Sequence, residues 1–189
     1  CACLVGSEMC IRDRYYEELE KLYGKAKYYS MDPFHEGGNT EGVDLAKAGT
    51  SIMSAMKKAN PEAVWVMQAW QANPREAMVS TLDSGDLLVL DLYSEKLPQW
   101  GDPESMWYRE KGFGKHDWLY CMLLNFGGNV GLHGRMEQLV NGYYNACAHV
   151  NGKTLRGVGA TPEGIENNPV MFELLYELPW REERFAPDA

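Results

Sequence analysis

From Ala26 onwards, the chain alternates short apolar runs with segments of helical period, and this alternation is what most constrains its fold. The apolar runs cover residues 26–31, 63–68, 86–92, 117–124 and 155–160. Strands separated by helices pair in parallel, because an antiparallel hairpin needs a much shorter connection. The sequence therefore predicts an α/β protein with a parallel sheet and helices outside it.

The clearest predicted helix is 43–59, which carries Leu45, Ala48, Ile52, Met53 and Met56 on one face. Asn60-Pro61 ends it, since the residue before a proline disfavours helical geometry. Further helices are predicted at 75–82, 135–147 and 169–178, and a long aromatic loop at 93–115.

Five strands are too few to close an eight-stranded barrel. They fit either an open doubly wound sheet or about the last five β/α units of a (β/α)8 TIM barrel. Residues 1–14 have no period and hold three of the five cysteines, and the stretch GSEMCIRDR resembles translated sequencing-adapter read-through. We therefore interpret them as a non-native N-terminal artefact, with a true leader as the alternative. This interpretation favours a partial TIM barrel over residues 15–181.

The composition argues against several classes of partner. The formal net charge of −9 disfavours nucleic acid and anionic membranes. No apolar run approaches the length of about 18 residues that a membrane span requires. The cysteines form no Cys-x-x-Cys pair and the histidines show no zinc-ligand spacing, so we expect neither a metal nor another cofactor.

Polar and aromatic residues follow the predicted strands, in turns that collect at one end of a barrel. These strand-end residues are Asp32, His35, Glu36, Gln68, Trp70, Asp91, Tyr93, Asn125, Asn129, Thr161 and Glu163. Carboxylates, amides and aromatic faces together are typical of a sugar site, and glycosyl cleavage needs two carboxyl groups. Glu36 and Glu163 supply such a pair, although a Glu in a strand-to-helix turn is also common as a helix cap. Trp100 and Trp107, in or beside loops, are further candidates for ligand contact.

Five stretches in order resemble glycoside hydrolase family 89, the α-N-acetylglucosaminidases. They are DPFHEGG (32–38), EAVWVMQAWQANP (62–74), LLVLDLYSE (87–95), WLYCMLLNFGGNVGLHGRM (118–136) and GVGATPEGIENNPVMFELLYELPW (157–180). The resemblance implies a catalytic barrel with Glu36 as acid/base and Glu163 as nucleophile. It also implies a C-terminal helical region beginning at 182–189, and a secreted, periplasmic or lysosomal location.

The resulting hypothesis is a retaining hydrolase that releases terminal α-linked N-acetylglucosamine from heparan-type or mucin-type glycans. Its expected substrate-binding residues are His35, Trp70, Asp91, Tyr93, Asn125 and Asn129. Because the opening strands of the barrel are missing, we expect the fragment to be inactive alone. Two alternatives stay open: another barrel carbohydrate hydrolase, including a metal-dependent one that uses Asp32, His35 and Asp91, and a non-catalytic carbohydrate-binding module.

Overall fold

A computed structural model describes residues 11–34, 36, 38–128, 131–164, 167–181 and 183–184 of the 189-residue chain. Within them, the strands are β1 (Tyr28–Ser30), β2 (Val64–Ala69), β3 (Leu87–Asp91), β4 (Asp117–Leu124) and β5 (Leu155–Pro162). The α-helices are α1 (Ile11–Tyr23), α2 (Leu45–Ala59), α3 (Glu76–Val79), α4 (Met136–Ala148) and α5 (Pro169–Glu177). Each predicted strand is present with its ends shifted by at most a few residues.

The strands form one sheet in the order β1-β2-β3-β4-β5. The pairs β1–β2 and β4–β5 are parallel. A doubly wound sheet reverses its strand order at a switch point, whereas barrel strands follow the order of the chain. The sheet therefore confirms the predicted α/β class and agrees with successive units of a barrel.

The chain divides into two compact units, which we call unit 1 and unit 2. Unit 1 comprises the described residues up to Met67 together with Ala72–Leu88. Unit 2 comprises Gln68–Gln71 and the described residues from Val89 onwards.

Helix α2 supplies much of the core of unit 1. The carboxylate of Asp44 accepts a hydrogen bond from the Lys47 N–H at 3.0 Å and so caps the first turn. Ile52, Met53 and Met56 are buried, which confirms the predicted apolar face. Burying side chains of this size contributes about 1.5–3 kcal/mol each as an upper estimate. Gly49 lies against the backbone of α3, where an added Cβ would strike the Met78 carbonyl oxygen.

The end of β1 is fixed to β2 in unit 1. Tyr28 pairs with Val64, and Ser30 with Val66. Beyond the strand, the Met31 carbonyl accepts a hydrogen bond from the indole N–H of Trp65 at 2.8 Å. Trp65 is fully buried, so this bond ties the start of the following turn to the core.

Strand β4 is the centre of unit 2. Residues 120–124 are all buried, as expected for a parallel strand covered on both faces. Asn168 caps the start of helix α5, because its side chain accepts from the Val170 N–H at 3.1 Å, and Pro169 follows in the first turn.

Trp100 belongs to the core of unit 2, so its interpretation as an exposed loop residue is wrong. It is only 5% exposed and its ring stacks on that of Trp118, with centroids 6.1 Å apart. The loop carrying it folds back over β4.

None of the helices in the described part of the chain is long and apolar enough to cross a membrane.

Candidate active site

Strained backbone marks the turns after three of the strands. Among the described residues, the non-glycine residues with positive φ are Phe34 (60°), Glu36 (47°), Gln71 (53°) and Asn125 (62°). Phe34 and Glu36 follow β1, Gln71 follows β2, and Asn125 follows β4. Each such residue costs of order 1–3 kcal/mol, and strain of this kind concentrates at functional sites. The strain therefore marks strand-end turns as candidate functional positions within each of the two units.

Glu36 lies in the turn after β1 of unit 1, and its side chain is exposed. Four residues earlier, Asp32 accepts a hydrogen bond from Asn73 Nδ2 at 2.9 Å. The packing is tight at Gly38, where an added Cβ would lie 2.5 Å from the Cα of Phe34. The turn thus presents a carboxylate to solvent from a constrained backbone.

Glu163 directly follows β5 in unit 2, and its side chain is also exposed. Its backbone N–H donates to the carbonyl of Leu124, the last residue of β4, at 3.1 Å. Asn125 is buried and packs against the next residue of this turn, because a Cβ at Gly164 would lie 3.3 Å from Asn125 Nδ2. The geometry therefore brings two predicted site residues, Asn125 and Glu163, to one strand end.

Four aromatic side chains of unit 2 form a cluster that we call the aromatic group: Trp70, Tyr93, Trp107 and Phe126. The ring centroids of Trp70 and Tyr93 are 6.4 Å apart with nearly parallel planes. Trp107 contacts Trp70 edge-on, with ring centroids 4.5 Å apart. The ring centroid of Phe126 lies 5.5 Å from that of Trp70 and 5.4 Å from that of Tyr93. Trp70, Trp107 and Phe126 are half-buried. Such surfaces suit the C–H face of a sugar.

Tyr93 connects the aromatic group to the charged residues. Its hydroxyl accepts a hydrogen bond from Arg135. Burial raises the pKa of Tyr93, the carboxylates of Glu95 and Glu163 raise it further, and Arg135 opposes the shift. The hydroxyl is therefore protonated at neutral pH, and the charge of Glu163 acts on it.

Asp91, at the end of β3, is fully buried rather than open to a ligand. Its Oδ2 accepts from Ser94 Oγ at 2.9 Å and from the Gln99 N–H at 3.2 Å. Burial raises the pKa of this carboxyl group to about 7, against the opposing effect of Arg109. These contacts favour a role in holding the start of the 93–115 loop.

Glu95 is a second buried acid in unit 2, and its burial beside the predicted site residues was not predicted from the sequence. It is 7% exposed, and both oxygens of its carboxyl group accept from the Leu123 N–H, at 3.2 and 3.3 Å. Burial raises its pKa to about 8, Asp91 adds to the shift and Arg135 opposes it. The only sequence signal is its position at the end of the LLVLDLYSE stretch.

A cavity of about 80 Å³ lies beside Glu95. Its polar lining comes from Tyr93, Glu95, Lys96, His133 and Arg135. This volume holds a few water molecules and is smaller than the roughly 300–1,000 Å³ of typical ligand pockets.

Two predicted substrate-binding residues, His35 and Asn129, lie outside the described residues. No cluster of three His, Cys, Asp or Glu side chains arranged for a metal ion occurs in the part of the chain that the structure describes.

Known proteins similar to this chain agree with one another. Residues 9–182 match the family profile of the alpha-N-acetylglucosaminidase (NAGLU) tim-barrel domain. Human alpha-N-acetylglucosaminidase is 37% identical over 177 residues, which is 88% of this chain and 23% of the human protein.

Solved structures agree with the sequence matches. A family 89 glycoside hydrolase from Clostridium perfringens, in complex with PUGNAc, aligns with a TM-score of 0.81 and 31% identity, covering 97% of this chain and 20% of that one. A variant from the same organism with two Glu-to-Gln changes, in complex with its substrate GlcNAc-alpha-1,4-galactose, gives the same score and coverage.

These matches place the chain in the class of TIM-barrel glycoside hydrolases. Within that class, it belongs to the alpha-N-acetylglucosaminidase family, glycoside hydrolase family 89. The chain spans only 23% of the length of the human protein and 20% of the length of the Clostridium perfringens protein.

Proposed function

We propose that this chain supplies the two catalytic carboxyl groups of a retaining α-N-acetylglucosaminidase, with Glu163 as nucleophile and Glu36 as acid/base. The observation that carries the proposal is the placement of Glu163. It is an exposed carboxylate one residue beyond β5, with its N–H bonded to the end of β4. A side chain so placed has a fixed backbone and access to a ligand.

The stereochemistry of the substrate supports an enzymic nucleophile. In an α-linked N-acetylglucosaminide, the 2-acetamido group and the leaving group lie on the same face of the ring. The acetamido oxygen therefore cannot attack the anomeric carbon from behind, and substrate assistance is excluded. A retaining enzyme must then supply its own carboxylate.

The reaction proceeds in two displacements. Glu163 attacks the anomeric carbon while Glu36 gives its proton to the glycosidic oxygen, so the C–O bond breaks and a glycosyl ester forms. Glu36 then takes a proton from water, which attacks the anomeric carbon and releases the sugar and Glu163. This mechanism needs the two carboxyl groups about 5–5.5 Å apart. A separation near 9 Å in an experimental structure of the complete enzyme would indicate inversion instead.

The substrate class is a glycan that ends in α-linked N-acetylglucosamine, of the heparan or mucin type. The human relative is named as an α-N-acetylglucosaminidase, and a Clostridium perfringens relative was solved with GlcNAc-alpha-1,4-galactose as its substrate. Among the described residues, the candidates for binding this glycan are Trp70, Tyr93 and Asn125. The expected location of the enzyme is secreted, periplasmic or lysosomal. Rates on α-N-acetylglucosaminyl galactose and on α-N-acetylglucosaminyl glucuronate distinguish the two glycan types.

The deciding experiment is Glu163→Gln in a protein of full family length that carries this segment, called the full-length protein below. Hydrolysis of an aryl α-N-acetylglucosaminide is expected to fall by about 10⁴-fold or more, because the attacking carboxylate is gone. Glu173→Gln, at an exposed position of α5, is the matched control and should leave the rate unchanged.

If hydrolysis survives in the Glu163→Gln variant, Glu163 is not the nucleophile and the proposal fails. Retained sugar binding without any hydrolysis in the unsubstituted full-length protein would instead favour a carbohydrate-binding module. Loss of activity on chelation would favour a metal-dependent hydrolase. The isolated 189-residue chain, assayed in parallel, is expected to be inactive.

A further inference from the structure

On the side that faces β3, the described residues give the carboxyl end of β4 no strand partner beyond Asp91, and the Glu95 side chain takes that place. Strand β3 ends at Asp91. Beyond it, the Ser94 N–H still donates to the Cys121 carbonyl at 3.0 Å. The next donor along β4 on this side, the Leu123 N–H, donates to the carboxyl oxygens of Glu95 at 3.2 and 3.3 Å.

The other edge of β4 carries the candidate nucleophile. Neighbouring residues of a strand direct their backbone groups to opposite sides. Leu123 therefore donates towards Glu95, while the Leu124 carbonyl accepts the Glu163 N–H at 3.1 Å. A single peptide unit thus separates the bond made by Glu95 from the bond that holds Glu163.

The chemistry around Glu95 suits a fixed acceptor rather than a reacting group. Its carboxyl group is buried, and the adjoining cavity of about 80 Å³ is too small for a sugar. Arg135 lines the same cavity and hydrogen-bonds Tyr93, which belongs to the aromatic group. Glu95 therefore sits behind the site and contacts it through the backbone.

We propose that Glu95 is a positioning residue: by accepting the Leu123 N–H it fixes the end of β4 and, through the Leu124 carbonyl, the backbone of the nucleophile Glu163. This inference rests on the proposed function of Glu163. It assigns Glu95 an effect on the rate of the chemical step rather than on substrate binding.

Three substitutions of Glu95 in the full-length protein test separately the hydrogen-bond acceptor, the ionisable carboxyl group and the length of this side chain. Glu95→Met has no acceptor, so kcat for an aryl α-N-acetylglucosaminide is expected to fall about 10-fold to 100-fold, with KM changed less than about threefold. Glu95→Gln keeps an amide oxygen at the same reach and should restore kcat to within about threefold. Glu95→Asp keeps the carboxylate but shortens it by one methylene, and should lose about 10-fold in kcat.

Hydrogen exchange gives a readout that does not depend on activity. Backbone amides in segments 117–124 and 155–164 should exchange faster in Glu95→Met than in Glu95→Gln, because only the former leaves the Leu123 N–H without an acceptor. Glu173→Gln is the control for both measurements.

Wild-type kcat in Glu95→Met, or equal impairment of the Gln and Met variants, overturns the proposal. If Glu95→Met does not fold, the comparison of the Gln and Asp variants decides: an active Asp variant beside an inactive Gln variant would mean that charge, not the acceptor, matters. The Glu163→Gln variant keeps the two proposals apart. If it loses hydrolysis while the Glu95 variants remain normal, only the positioning role fails.

Discussion

The two strand-end turns that carry Glu36 and Glu163 are built differently. Glu163 comes one residue after β5 and remains in the hydrogen-bond ladder through the Leu124 carbonyl. Glu36 comes six residues after β1, and its backbone is left-handed with a φ of 47°. A nucleophile must be aligned closely with the anomeric carbon, whereas a proton donor acts through a hydrogen bond that often tightens only with substrate present. The two constructions match the two proposed tasks.

The support behind the two turns also differs in chemistry. In unit 2 the end of β4 is held by the buried acid Glu95, with Asp91 close by. In unit 1 the residues after β1 are held by the Trp65 indole on Met31 and the Asn73 amide on Asp32. Buried acids change charge with pH and amides do not, so the strand-end support in unit 2 should be the more sensitive to pH.

The first prediction that sharpens this comparison concerns Glu36→Gln in the full-length protein, whose expected effect is exceeded only by that of Glu163→Gln. Loss of the acid should lower kcat/KM for an alkyl α-N-acetylglucosaminide by about 10²–10⁴-fold, because its leaving group needs a proton. A dinitrophenyl leaving group needs little protonation, so for that substrate the first displacement should stay close to the wild-type rate.

Glu163→Gln serves as the contrast, since loss of the nucleophile should affect both substrates alike. Equal losses on both substrates in Glu36→Gln would contradict the assignment of Glu36 as acid. The roles of the two turns would then have to be exchanged or abandoned.

The second prediction concerns the stability of unit 2 as the pH rises. The pKa of Glu95 is about 8 in the folded chain against an ordinary 4.5, and that of Asp91 is about 7 against 3.8. Between the ordinary and raised values, the folded state keeps protons that the unfolded state has released. The resulting stabilisation is complete below the ordinary pKa values and is lost as the pH rises through about 7 and 8. We expect a loss of up to a few kcal/mol between pH 5 and 9.

The measurement is the rate of hydrogen exchange in segment 117–124 of the full-length protein at several pH values, after correction for the intrinsic pH dependence of exchange. Glu95→Gln should flatten the part due to Glu95 and leave the part due to Asp91. Several other titratable or charged groups interact electrostatically with Glu95 or line its cavity, and they contribute to the same pH profile. They are Asp91, Tyr93, Lys96, Tyr120, Cys121, His133 and Arg135. A Glu95→Gln profile identical to that of Glu173→Gln would show that Glu95 does not titrate in this range.

Local pattern predicted the framework better than it predicted the support behind the site. The apolar runs located all five strands, and the face of α2 was correct, because both depend on periodicity within one segment. The turn of Glu163 was also found, since a carboxylate after a strand and among glycines is a local feature.

The 93–115 loop could not be predicted in the same way. Glu95 and Trp100 are polar and aromatic residues in a segment without a period, which favours exposure. Their burial depends on partners far along the chain. Glu95 is bonded by the Leu123 N–H. Trp100 stacks on the ring of Trp118, and the Trp100 carbonyl accepts from the side chain of Asn151. Asp91 is another such case, because its burial comes from the loop folding over it.

The smallest effect tests the support of the Glu36 turn with a pair of matched tryptophans. Trp65 and Trp118 are both fully buried, and each indole N–H donates to a backbone carbonyl, that of Met31 at 2.8 Å and that of Asn151 at 3.0 Å. Either Trp→Phe change removes the indole donor and costs about 1–3 kcal/mol, and the Asn151 carbonyl then keeps only the longer bond of 3.5 Å from Thr154 Oγ1. Only Met31 precedes the turn of a proposed catalytic residue, because Trp118 lies at the amino end of β4. In the full-length protein, Trp65→Phe should therefore lower kcat about twofold to 10-fold, while Trp118→Phe lowers the melting temperature similarly and leaves kcat unchanged. An equal fall of kcat in both variants would mean that the Glu36 turn responds to general loss of stability, and that the Trp65 bond has no separate part in placing the acid.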